Sequence, residues 1–279
     1  MKTRVPKSSV RPSRVRTRFG YDHQWWGAVA QTQAPTPLSY WGVTRLPLPC
    51  LVFVMPFLLV YEMGVTILGG NSADAIRTGA DAWMRNGLTA FGLQDRWLPA
   101  VGLMSAMMAW QAFRPGSWRF RPACLVGMSL ESLFFALVLV GLGRLVDVGF
   151  DRLDTNPLLQ VAEPGHPSAM ATLIGFLGAG VYEEALFRLM MIPALYGACR
   201  MLHSPKLLAA TVAVTASSLL FSLAHHAGIP GESFTWFAFI FRWVAGVFFA
   251  WVFLVRGFGI AVGTHAAYDV LVGWVGLHL

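Results

Sequence analysis

Three short strings near the end of the chain concentrate side chains able to activate water. Glu183, Glu184 and Arg188 lie in EEALFR, Phe221 and His225 in FSLAH with His226 directly after, and His265 and Asp269 in HAAYD. Carboxylates and imidazoles are the usual general acids and bases of hydrolysis. Residues four apart share a helix face, so Glu184 sits over Arg188 in the favourable order and can neutralise it as an ion pair. Glu183 is rotated by about 100° from Glu184 and faces a different neighbour, which leaves one carboxylate free for chemistry. The same spacing stacks His265 on Asp269, whose carboxylate can fix the imidazole tautomer or stabilise its charged form. It also sets Phe221 beside His225, where the ring can limit imidazole motion. A spare carboxylate and two imidazoles on three helices make a water-activating set.

The elements that must carry this set are apolar. Of 279 residues, 56% are hydrophobic and only 13% charged, far from a soluble composition. Eleven Trp and twenty Phe suit lipid-facing and interfacial positions. A crossing takes about 20 apolar residues, and seven runs approach that: Leu46 to Leu68, Leu98 to Phe113, Pro122 to Val146, Ala169 to Arg200, Leu207 to His225, Phe234 to Val255 and Phe258 to Leu277. The second is short, and the fourth is too long for a plain crossing. The expected fold is an all-α polytopic transmembrane helix bundle of about 7–8 spans with a polar intramembrane cavity. Residues 70 to 96, with Asp74, Arg77, Asp81, Arg85, Asp95 and Arg96, predict an amphipathic interfacial helix.

Three regions are expected. Residues 1–45 form a basic arm, 46–168 the N-terminal transmembrane helices with the amphipathic segment, and 169–279 the catalytic core. Seven of the 21 Lys and Arg fall in the first eighteen residues, with no acid before Asp22. That arm is expected to be disordered and cytoplasmic, touching anionic lipid rather than nucleic acid. No cleavable leader is expected. Arg114, Arg119 and Arg121, then Arg200 and Lys206, then Arg256 mark inside loops, whereas Asp147, Asp151, Asp154 and Glu163 mark an outside one. The positive-inside rule then predicts a cytoplasmic N-terminus and an external C-terminus. Straight helices would put Glu183 and His225 at roughly 25 to 30 Å depth but His265 at about 14 Å. They meet only if the hairpin around Pro193 to Pro205 projects past the membrane. The loop with Gly228, Pro230 and Gly231 would then be non-helical backbone lining protein or water.

Other polar residues have plainer readings. His226 is expected to line the cavity or support the site. Glu131 and Arg242 read as structural interhelical partners, and Glu62 and Arg144, near span ends, as snorkelling side chains. Cys50, Cys124 and Cys199 read as small packing residues.

The three strings, in this order on successive late spans, resemble the signature of the CPBP family, the CAAX proteases and bacteriocin-processing (Abi-type) enzymes: EExxxR, then FxxxH, then HxxxN or HxxxD. The resemblance covers roughly residues 169 to 279 and implies an intramembrane endopeptidase. On it, Glu183 activates water with help from His225, His265 and the residue at 269 stabilise the oxyanion, and Glu184 and Arg188 support the site. Asp269 stands where many members have Asn. An ionised carboxylate cannot donate to an oxyanion, so orienting His265 is the reading for Asp269. The expected substrate is a membrane-anchored protein or peptide, and the expected location is the cytoplasmic (inner) membrane of a prokaryote.

Zinc held by Glu183, His225 and His265 is chemically allowed, but the resemblance favours a glutamate mechanism without a cofactor. The HExxH of zinc site-2 proteases, the GxSG of rhomboids and the GxGD of aspartyl intramembrane proteases are absent. A non-catalytic immunity or scaffold protein, or a proton-coupled transporter, uses the same residue types. The confinement of the ionisable cluster to the last four spans disfavours the transporter.

Overall fold

The apolar runs fold as helices because a backbone in hydrocarbon must satisfy its own hydrogen bonds. The computed structural model describes residues 39–69, 76–114, 118–151, 168–227 and 233–275. A short α1 (Tyr40–Val43) precedes α2 (Pro47–Gly69), α3 (Gly79–Thr89), α4 (Leu98–Phe113) and α5 (Ala123–Asp151). Next comes a continuous rod of α6 (Ala169–Glu183), a π-helical segment (Glu184–Met191) and α7 (Ile192–Met201). The chain then forms α8 (Lys206–His226), α9 (Trp236–Arg256) and α10 (Phe258–Gly273). Among the described residues the fold is all-helical. Five helices are long and apolar enough to cross a membrane, and α4 and α10 are shorter apolar helices. The seven runs found in the sequence are therefore seven helices. The outward faces carry large apolar side chains, such as Leu130, Phe134 and Leu137 on α5, as lipid contact requires. The protein is an integral membrane helix bundle.

The boundaries follow local chemistry. Ser168 and Thr235 cap α6 and α9 by accepting from Ala171 N and Ala238 N. Pro205 precedes α8, and His203, at φ 59°, turns the chain out of α7. Gly257 joins α9 to α10 at φ 97°, where a Cβ would lie 3.1 Å from Arg45 Cα. Helix α10 packs against α2, α5, α6 and α9 and is buried from Phe258 through Ala266. It is thus the central post of the bundle.

Several polar residues land differently from their sequence readings. Glu62 does not snorkel: it is 2% exposed, accepts from the Tyr182 hydroxyl, and lies 3.4 Å from Arg77 and 3.8 Å from Arg85. Two cations beyond the end of α2 come to it, so it has no need to reach for water. Glu131 does make an interhelical pair, but with Arg256, itself 1% exposed. That arginine, read as a loop marker, is a buried structural cation. The helix expected within 70–96 exists as α3, with Asp81 fully buried rather than facing an interface. Cys50, Cys124 and Cys199 are free thiols. The basic arm through residue 38, most of the acidic loop after Asp151, and Gly228, Pro230 and Gly231 lie outside the described residues.

The rod Ala169–Met201 has 33 residues, about 50 Å of helix against about 30 Å of hydrocarbon. Roughly 27 Å of helix separates Glu183 from Met201, but only about 12 Å separates His265 from Gly257.

Candidate active site

Three helices converge around Glu183. The residue closes α6 at the point where the hydrogen-bond ladder changes to the i→i+5 pattern of a π-helix, a local departure frequent at functional sites. A side chain of α8 and a backbone carbonyl of α9 hold this segment. Ser217 Oγ donates to the Phe187 carbonyl at 2.6 Å, and Arg188 donates to the Gly246 carbonyl at 3.3 Å. The approach of α6 to α10 depends on Gly180, where a Cβ would lie 3.0 Å from Ala266 N and Val262 O. Any larger residue there would push Glu183 away from His265.

Glu183 Oε2 lies 3.7 Å from His225 Nε2 and 3.8 Å from His265 Nε2. Both separations are too long for a direct hydrogen bond, and each is short enough for a water oxygen to bridge that pair. The same oxygen is buried and has no hydrogen-bond partner among the described residues. His225 Nδ1 sits 2.9 Å from the Phe221 carbonyl, which can only accept. Nδ1 therefore carries a proton, and in the neutral ring Nε2 presents a lone pair to the Glu183 side.

His265 Nδ1 lies 2.8 Å from Glu184 Oε1, and the same carboxylate oxygen pairs with Arg188 at 2.9 Å. The expected Glu184–Arg188 pair is present. The carboxylate at His265 Nδ1 is that of Glu184, whereas the sequence places Asp269 in the orienting role. Asp269 Oδ2 approaches the opposite nitrogen, Nε2, at 3.6 Å. It therefore faces the same space as Glu183 and does not hold the ring from behind.

Aromatic rings confine both imidazoles. Phe221 meets His225 edge-on at 4.8 Å and His265 at 5.9 Å, with the Arg188 guanidinium 4.3 Å from its own centroid. Phe249 stacks on His265 at 4.5 Å and 15°. Phe249, Ser217 and Gly246 were not identified from the sequence, since each is an ordinary residue within an apolar helix. His226 packs on Phe234 and Phe239 at centroid distances of 5.1 and 6.3 Å. Among the described residues, no group of three His, Cys, Asp or Glu side chains has the arrangement of a metal site.

Residues 165–271 match the family described as Type II CAAX prenyl endopeptidase Rce1-like. No curated protein and no solved structure matches the chain.

Proposed function

We propose that this chain, whose residues 165–271 match the Type II CAAX prenyl endopeptidase Rce1-like family, is an intramembrane endopeptidase in which Glu183 activates water. The observation that supports this most is the buried Glu183 Oε2, without a hydrogen bond among the described residues and 3.7 and 3.8 Å from two imidazole Nε2 atoms. In this reading Glu183 removes a proton from a water that His225 Nε2 also orients, and the resulting hydroxide attacks a peptide carbonyl. His265 donates from Nε2 to the oxyanion while Nδ1 is held by Glu184. This donation takes a ring protonated at both nitrogens, Nδ1 toward Glu184 and Nε2 toward the oxyanion, and Asp269 Oδ2 lies 3.6 Å from that Nε2. Glu183 then returns its proton to the leaving amine.

The substrate is a membrane-anchored protein or peptide, because the site lies within the helix bundle. The basic arm and the loop charges favour a cytoplasmic N-terminus in the inner membrane of a prokaryote. The test is a comparison of protein N-termini in membranes from cells with and without the chain. New N-termini that appear only when it is present support a peptidase. Identical profiles under conditions where the chain is abundant would support a scaffold.

The proposed steps involve no metal. Purified protein treated with EDTA and then 1,10-phenanthroline is therefore expected to keep its cleavage rate within about twofold, far less than the loss that follows removal of an essential ion or ligand. Inactivation that zinc reverses would contradict this part of the proposal.

A further inference from the structure

A second buried cluster of ionisable residues adjoins the site and is not used by the chemistry. It comprises Tyr61 and Glu62 on α2, Arg77, Asp81 and Arg85 around α3, and Tyr182 on α6. Asp81 receives Arg77 and Arg85, each at 2.7 Å, and the Tyr61 hydroxyl at 2.9 Å. Glu62 receives the Tyr182 hydroxyl, with Arg77 at 3.4 Å and Arg85 at 3.8 Å. Two cations face two carboxylates, so the cluster is formally neutral, which is what allows it to persist away from water. The Tyr61 and Tyr182 rings meet edge-on at 5.4 Å.

Tyr182 is fully buried and immediately precedes Glu183. On a rigid helix the two side chains move together. Any rotation of α6 that breaks the Tyr182–Glu62 hydrogen bond also carries Glu183 Oε2 away from one imidazole. We propose that Glu62 and Tyr182 are positioning residues: their hydrogen bond sets the rotation of α6 and thereby holds Glu183 between His225 and His265. The inference rests on the peptidase reading for its consequence in catalysis, but its geometric content can be tested without substrate.

The variant Tyr182→Phe removes one hydroxyl and leaves every charge in place, so it avoids the misfolding that loss of Glu62 would invite. The full chain, labelled with [13Cε1]histidine in detergent micelles, reports the surroundings of His225 and His265 through their ring resonances. Tyr182→Phe is expected to shift both resonances, as Glu183→Gln does, and to lower the rate of forming the new N-termini by ~10- to 100-fold, the scale of a misplacement near 1 Å. The Tyr40→Phe control loses a hydrogen bond to Glu131 elsewhere in the bundle and is expected to leave both resonances in place. Wild-type resonances in Tyr182→Phe would overturn the proposal, as would shifted resonances with an unchanged cleavage rate. Resonances insensitive to Glu183→Gln would instead overturn the placement of Glu183 beside the histidines, and with it the function proposed above.

Discussion

Glu183→Gln is expected to reduce cleavage by about 10²- to 10⁴-fold, the contribution typical of a positioned general base. The amide keeps the shape and hydrogen-bonding reach of the carboxylate but cannot accept a proton from water. Among the described residues Glu183 has no ion-pair partner as close as the Arg188 that Glu184 holds at 2.9 Å. Its replacement by a neutral isostere therefore leaves no buried charge stranded. Membrane abundance and melting temperature in detergent should remain near wild type. The measurement is the yield of new N-termini per unit of immunodetected protein. Normal yield from Glu183→Gln would show that this carboxylate is not the base.

Glu184→Ala should fail in a different way. Its carboxylate neutralises Arg188, which is 1% exposed, and accepts from His265 Nδ1. Deleting one partner of a buried pair leaves an uncompensated charge and costs about 3–5 kcal/mol. The single variant is therefore expected to be depleted from the membrane. Removing both charges, in Glu184→Ala combined with Arg188→Met, should restore much of the abundance. It should not restore cleavage, because His265 Nδ1 still lacks its acceptor and Phe221 loses the cation against its face. Equal abundance of single and double variants would show that the pair carries little structural energy. Full activity of the double variant would show that Glu184 does not hold His265.

These contrasting outcomes separate what the sequence could reveal from what it could not. The helices were legible because span length and hydrophobicity are local properties of a chain in lipid. The convergence of EEALFR, FSLAH and HAAYD was legible because ionisable groups in apolar runs need partners. The π-helical segment was not legible, since an i→i+5 ladder uses the same residue types as an α-helix. Glu184 was correctly paired with Arg188 from its i,i+4 spacing. Its second bond, to His265, spans 81 residues and depends on how closely α6 and α10 pack at Gly180. The same limit applies to Asp269: its spacing puts it beside His265 but does not say which ring nitrogen it meets. The Glu62 cluster was missed because its acceptor and donor lie 120 residues apart. Position near a span end says nothing about a partner delivered by another helix.

In the proposed mechanism Glu183, His225 and His265 act as one unit on one water. Groups that act as a unit show strongly non-additive losses, because removing one already forfeits what the others contribute. The most direct measurement is the cleavage rate of Glu183→Gln, His265→Ala and the double variant, each reconstituted at equal amount in liposomes with a substrate identified from the N-terminus comparison. The double variant is expected to fall within about threefold of the slower single variant. A loss equal to the product of the two single losses would mean that the residues act independently, contradicting a shared catalytic centre.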